Sequence, residues 1–196
     1  MLTFVLAAAP ALAGGTKSDV KLADHVLGPD KAPLTIIEYA SFSCSHCGTF
    51  YKEILPELEK KYIETGKVRF IYRDFPMNRY DLKAAALAHC MPSEQFYPFV
   101  KTLFNNAGTW LANPKPEAVL LQYAALGGLS NEKAQACMDD EKMLDAFVER
   151  RAKAIKKYDI NATPTFIFND SEDKIIGAVP IDTFTAAIDK ILASKK

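Results

Sequence analysis

The stretch Cys44-Ser45-His46-Cys47 stands between a strand-like run, Leu34–Tyr39, and a helix-like one. After it, apolar residues fall at Cys47, Phe50, Tyr51, Ile54, Leu55, Leu58 and Tyr62, the spacing of one face of an α-helix. A C-x-x-C at such a junction puts its first sulfur at a helix N-terminus. Unpaired backbone N–H groups and the positive end of the helix dipole favour a thiolate there. A cysteine so placed has its pKa lowered from about 8.5 to roughly 3.5–7.5. The thiolate attacks disulfides, and the second sulfur is near enough to resolve the mixed disulfide. The spacing therefore predicts a redox dithiol. The same residues are half of a zinc site, but zinc calls for a second Cys or His pair. The chain has no second C-x-x-C and no H-x3-5-H. An inert disulfide would contribute little, because the loop it closes is already short.

Composition bounds the rest. The 196 residues allow one large domain, or one carrying an insertion, and at 49% hydrophobic they can bury a sizeable core. Lys plus Arg and Asp plus Glu are 24 each, and no basic cluster resembles a nucleic-acid patch. The densest positive stretch, Arg150, Arg151, Lys153, Lys156 and Lys157, reads as the solvated face of a helix. Residues 1–17 contain a short apolar core and the cleavage pattern Ala11-Leu12-Ala13, without a basic start. They read as a leader for export, with an unstructured tail as the alternative. The leader is too short to span a bilayer as a helix, and no other segment is long and apolar enough, so a soluble mature protein is expected. Four cysteines in an exported chain suggest two pairs, one reactive and one structural.

In chain order, Ser18–Lys31 is polar and ends in the turn signal Gly28-Pro29-Asp30-Lys31; His25 within it reads as a surface histidine. Leu34–Tyr39 is nearly continuously apolar, as in a strand buried on both faces, with Glu38 interrupting it. A helix follows from about Cys44 to Thr65, stopped by Gly66, with a kink expected near Ile54–Leu55 from Pro56. Lys67–Asp74 reads as a second strand. Then come helices: an Ala-rich one over Leu82–Met91, one over Glu94–Asn105, one starting at Pro114–Glu117, a short one over Asn131–Met138 capped by Ser130, and a last, long one. Trp110 is expected in a loop, and Leu144, Phe147, Val148, Ala152 and Ile155 are expected on one apolar stripe. Strands over Thr165–Asn169 and Lys174–Ala178, joined by a hairpin turn, and a closing amphipathic helix complete the order βαβ, helical block, ββα. The domain boundaries read as 18–76 with 159–196, and 77–158 for the helical insertion.

These residues resemble a family. Glu38–Cys47, Val68–Pro76 and Ala162-Thr163-Pro164-Thr165-Phe166-Ile167-Phe168 lie in order, with the helical block between them, as in thioredoxin-fold proteins of the DsbA type. The resemblance covers nearly the whole mature chain. It implies an α/β thioredoxin fold with a helical domain inserted between its halves, and thiol–disulfide exchange in the periplasm. It also assigns roles: Cys44 as the attacking sulfur, Cys47 as the buried resolving one, and Thr163-Pro164 as a cis-proline loop facing the dithiol and binding peptide. Glu38 resembles the buried acid beneath the active-site helix; read alone, a carboxylate in an apolar strand has a raised pKa, unless it faces water at a strand edge. His46 is a partly exposed imidazole that stabilises the Cys44 thiolate as donor or cation. The family's commonest dipeptide is Pro-His, so Ser45 departs from it and weakens the inference of a strong oxidant. Cys90 and Cys137 read as a structural pair rather than a second redox site, and His89 as a surface or core histidine.

The expected activity is therefore an oxidase that passes its Cys44–Cys47 disulfide to newly exported cysteine-containing proteins. It is expected to act as a monomer without bound cofactor or metal, recharged by a membrane redox partner or another oxidant. A reductase or isomerase, and a non-catalytic thioredoxin-fold chaperone, are the alternatives; two intact cysteines argue against the last.

Overall fold

The computed structural model describes residues 20–194; the expected leader lies outside them. Two parallel strands form the centre, β2 (Leu34–Ala40) and β3 (Val68–Asp74), in register from Leu34 beside Val68 to Ala40 beside Asp74. Parallel neighbours need a long crossover. Here it is a helical stretch of four successive pieces: α1 (Ser45–Thr49), a π-helical turn (Phe50–Ile54), α2 (Leu55–Leu58) and a second π-helical turn (Glu59–Ile63). The expected kink site is thus a change of helical register. Leu55 N–H donates to Phe50 O, five residues back, and Pro56, which has no N–H to give, sits in the first turn of α2.

After the crossover and β3 come six helices: α3 (Arg79–Cys90), α4 (Ser93–Asn105), α5 (Ala107–Leu111), α6 (Pro116–Leu126), α7 (Asn131–Met138) and α8 (Glu141–Tyr158). Then β4 (Thr165–Phe168) pairs antiparallel with β2, β5 (Lys174–Ile176) pairs with β4, and α9 (Ile181–Ala193) closes the chain. Among the described residues the sheet has five strands, with β1 (His25–Leu27) at one edge, ordered β1-β3-β2-β4-β5.

The outer strand β1 (His25–Leu27) lies within the stretch read as polar and leading to a turn, where no strand is expected from the sequence. Three residues are too few to show a period, and pairing to β3 supplies what local pattern lacks. His25 is half-buried rather than fully on the surface. Its ring stacks on Phe96 with centroids 3.6 Å apart, and burial, then the neighbouring His89, pushes its pKa down to about 4. Trp110 lies in α5, fully buried, its indole N–H donating to Leu103 O. The apolar stripe of α8 is also displaced: Val148 and Ile155 are 50% and 41% exposed, and the buried side is Ala146, Phe147, Ala154 and Tyr158. Alanines let α8 lie close to the sheet, so volume rather than hydrophobicity alone selects the packed face.

Both faces of the sheet are covered. Leu34, Ile36 and Ala40 point to the larger core, with Phe50, Leu55, Phe70, Phe166 and Phe184. Ile37, Tyr39, Ile71 and Ile167 point the other way, against Ala154 and Tyr158 of α8. The insertion does not have a core of its own. Phe104 of α4 meets Phe42 and Tyr51 at centroid distances of 4.8 and 4.2 Å, so one apolar cluster runs from the sheet into the helical block.

Candidate active site

β2 ends at Ala40, and Ser41–Ser43 carry the chain to the start of α1. Cys44 is the N-cap of α1, in extended backbone conformation, and its Sγ accepts from the Cys47 N–H at 3.3 Å. A sulfur thus occupies the place usually taken by a Ser or Asp oxygen, beside unpaired amides. Both thiols are free, Cys44 half-buried and Cys47 fully buried. Hydrogen bonding from Cys47, then from Thr163 and the backbone N–H groups of Cys47 and His46, pulls the Cys44 pKa down to about 5 against its partial burial. Burial pushes Cys47 far up, helped by its hydrogen bond to Cys44 and by the neighbouring Glu38 carboxyl. Two identical side chains, three residues apart, are driven in opposite directions.

Thr163 and Pro164 complete the pocket. Their peptide bond is cis, Pro164 is buried, and Gly177 N–H of the β5 edge donates to Pro164 O at 2.8 Å. The Thr163 carbonyl lies 3.2 Å from Cys44 Sγ and accepts from the thiol when it is protonated. Glu38 lies on β2 between Tyr72 of β3 and Phe166 of β4, with no exposure. It shares the sheet face of Ile36 and Ala40, the face covered by the helix that starts at the dithiol. Neither carboxyl oxygen has a hydrogen-bond partner of ordinary geometry. Desolvation holds its pKa well above the usual carboxylate range; the Tyr51 hydroxyl opposes this but forms no ordinary hydrogen bond to it.

The fold therefore brings Cys44, Cys47, Glu38, Thr163 and Pro164 together. His46 is placed differently from expectation: its imidazole is exposed and makes no hydrogen bond to Cys44, to which the residue offers its backbone N–H. Cys90, at the end of α3, is bonded to Cys137 of α7, with Cα atoms 6.5 Å apart. His89 beside it is buried, its Nε2 2.8 Å from Asp74 Oδ2. A cavity of about 970 Å3 lies on the opposite sheet face, lined by Ile37, Tyr39, Ile71 and α8, so it is not the dithiol's site. No group of three or more His, Cys, Asp or Glu side chains among the described residues could hold a metal ion.

The family profile described as thioredoxin matches residues 21–190. The chain belongs to the thioredoxin family. A protein of Rickettsia conorii, provisionally named a protein-disulfide oxidoreductase, is 32% identical over 88% of this chain. The chain spans only 62% of that relative's length. The crystal structure of Wolbachia pipientis α-DsbA1 superposes with a TM-score of 0.80 and 36% identity, over 91% of this chain and 97% of that one. Oxidised BdbD of Bacillus subtilis follows with a TM-score of 0.76 and 26% identity, over 87% and 93%. Within the thioredoxin family the protein is DsbA-like, and its helical block matches the insertion of those structures.

One polar cluster of this DsbA-like site escapes sequence reasoning. Asp81, the third residue of α3, is 1% exposed and accepts from Ser41, Ser43 and Met77. Nothing in Arg79-Tyr80-Asp81-Leu82 distinguishes this acid from any other in a first helical turn.

Proposed function

We propose that the protein is an exported thiol–disulfide oxidoreductase that introduces disulfides into cysteine-containing proteins through Cys44 and Cys47. The observation that carries the reading is the opposition of the two thiols. Cys44 is acidic and half-exposed, while Cys47 is buried and held protonated. A substrate thiolate attacks Cys44 Sγ of the Cys44–Cys47 disulfide, and that bond breaks as the mixed disulfide forms. Cys47 leaves as a thiolate, and Glu38, kept neutral by burial, is the group suited to hand it a proton. A second substrate thiol then attacks the substrate's own sulfur, and Cys44 leaves. The substrate dithiol is oxidised by two electrons and the Cys44–Cys47 pair is reduced. An acidic Cys44 makes a good leaving group and stabilises the reduced protein, which strengthens the disulfide as an oxidant.

Thr163 and Pro164 are the proposed peptide-binding loop, and Cys90–Cys137 a structural bond within an inserted domain spanning 77–158. A periplasmic location and a monomer that needs no bound cofactor fit this reading. An external oxidant, such as a membrane redox partner, would have to remake the Cys44–Cys47 disulfide. Ser45, in place of the family's commoner proline, weakens the case for a strong oxidant and leaves open the second reading, a reductase or isomerase. Equilibration of the dithiol against glutathione separates them: about −120 mV is expected of an oxidase, about −180 mV would favour an isomerase, and a potential near about −270 mV would sink the oxidase reading in favour of a reductase.

A further inference from the structure

The loop that delivers Cys44 to α1 is tied to the helical insertion through one buried carboxylate. Asp81 Oδ2 accepts from Ser41 Oγ at 2.6 Å, Ser43 Oγ at 2.8 Å and Met77 N–H at 2.9 Å, and Oδ1 accepts from Ser43 N–H at 3.0 Å. Asn78, the N-cap of α3, adds its amide to Ser43 Oγ at 3.0 Å. The bonds reach the reactive sulfur by two routes. Ser41 O accepts from Cys44 N–H at 3.1 Å, fixing the residue before α1. Met77, held by its backbone, sets its Sδ 3.8 Å from the Thr163 hydroxyl, in the loop whose carbonyl faces Cys44.

We propose that Asp81 is a positioning residue for the Cys44 thiolate, holding the Ser41–Ser43 loop so that the α1 amides converge on one sulfur. The proposal rests on the reading of Cys44 as the attacking cysteine. An acid in a first helical turn commonly complements only its own helix dipole. Asp81 does something else: three of its four donors come from the 41–43 loop, across the junction between the insertion and the sheet. An asparagine cannot replace it, because one of its two terminal atoms is a donor. In either orientation its amide N–H faces an N–H or O–H that now has a carboxylate oxygen.

The test uses the reduced full chain with Asp81→Asn, Ser43→Ala and, as a control, Asp140→Ala, which removes a cap of α8 in the same helical block. Cys44 ionisation is followed by thiolate absorbance and alkylation rate against pH, with thermal midpoint and near-ultraviolet dichroism alongside. Asp81→Asn is expected to raise the Cys44 pKa by about one unit, a tenfold loss of thiolate at pH values below both midpoints. Ser43→Ala is expected to move it less, in the same direction, and the double variant by less than the sum. Asp140→Ala is expected to lower the thermal midpoint and leave Cys44 unmoved. An Asp81→Asn protein that loses stability as the control does, with Cys44 titrating as in the parent, would overturn the proposal. If Asp81→Asn does not fold, Ser43→Ala decides alone: an unmoved Cys44 pKa refutes the clamp. A parent Cys44 that titrates like a free thiol would instead overturn the functional reading, whatever the variants do.

Discussion

The two cysteine pairs of this chain show how much placement decides. Cys44 and Cys47 are three residues apart at a helix start, unbonded, with their pKa values driven apart. Cys90 and Cys137 are 47 residues apart, at the end of α3 and within α7, and bonded. The first pair closes almost no loop, so its bond adds little to stability and can be made and broken cheaply; its asymmetry is what gives it chemistry. The second closes a long loop between helices and has no cap amides around it, so its bond acts on the unfolded chain. On the proposed function, the same side chain is reagent in one place and tether in the other.

The sharpest way to break this comparison is to remove the sulfurs of each pair, singly in the first and together in the second. Cys44→Ala is expected to reduce the oxidation of a dithiol peptide to the uncatalysed rate. Cys47→Ala is expected to accumulate a mixed disulfide on Cys44, visible by mass spectrometry. Full activity in Cys44→Ala would end the catalytic reading. Cys90→Ala with Cys137→Ala is expected to cost about 4 kcal/mol of unfolding free energy in the chain-entropy account, read by denaturant titration. The same double variant should leave the Cys44 pKa where it is. A potential that follows the second pair would show that the two are not separate devices.

Glu38→Gln sharpens the asymmetry within the first pair. It keeps shape but removes the proton source below Cys47. Exchange is expected to slow by about 10²-fold, the lower end for loss of a positioned acid or base. Because neither Glu38 oxygen is hydrogen-bonded, stability is expected to hold or rise, as the buried carboxyl has no partner to strand. A stopped-flow rate equal to the parent's would remove Glu38 from the mechanism.

The central strands, the dithiol and its helix were legible in the sequence because each has a local pattern: apolar runs, a C-x-x-C, a period of 3.6. Glu38 stood out for the same reason, as a charge where the pattern forbids one. Pro164 was legible only by resemblance, since a proline entering a strand has no local mark of facing a sulfur. What stayed hidden is non-local. β1 exists through pairing with β3, Trp110 is buried by elements on both sides of it, and Asp81 acquires its role from Ser41 and Ser43, about forty residues upstream. The boundary at 77 follows the change of pattern from strands to helices, and the packing of Phe104 on Phe42 and Tyr51 across it has no local mark.

The smallest effect is a linkage between pH and the two redox states. Cys44 falls from an ordinary 9.0 to about 5 on folding, so between these values the folded reduced chain binds fewer protons than the unfolded one. Reduced-state stability therefore rises with pH across that window, complete above the unfolded value and lost as pH falls through about 5. In the oxidised chain Cys44 carries no titratable proton and the contribution is absent. Glu38, whose raised pKa makes stability fall with rising pH, is present in both states and largely cancels in their difference. Cys47 acts with opposite sign only where an unfolded thiol ionises, around pH 8 and above. The thermal midpoint of the reduced form minus that of the oxidised form should then climb from pH 5 to about pH 8, with Cys90–Cys137 kept bonded throughout. Solvent screening of a half-exposed sulfur keeps the climb modest. A flat difference over this range would mean that Cys44 is no more acidic than an ordinary thiol, and the contrast between the two pairs would reduce to loop length alone.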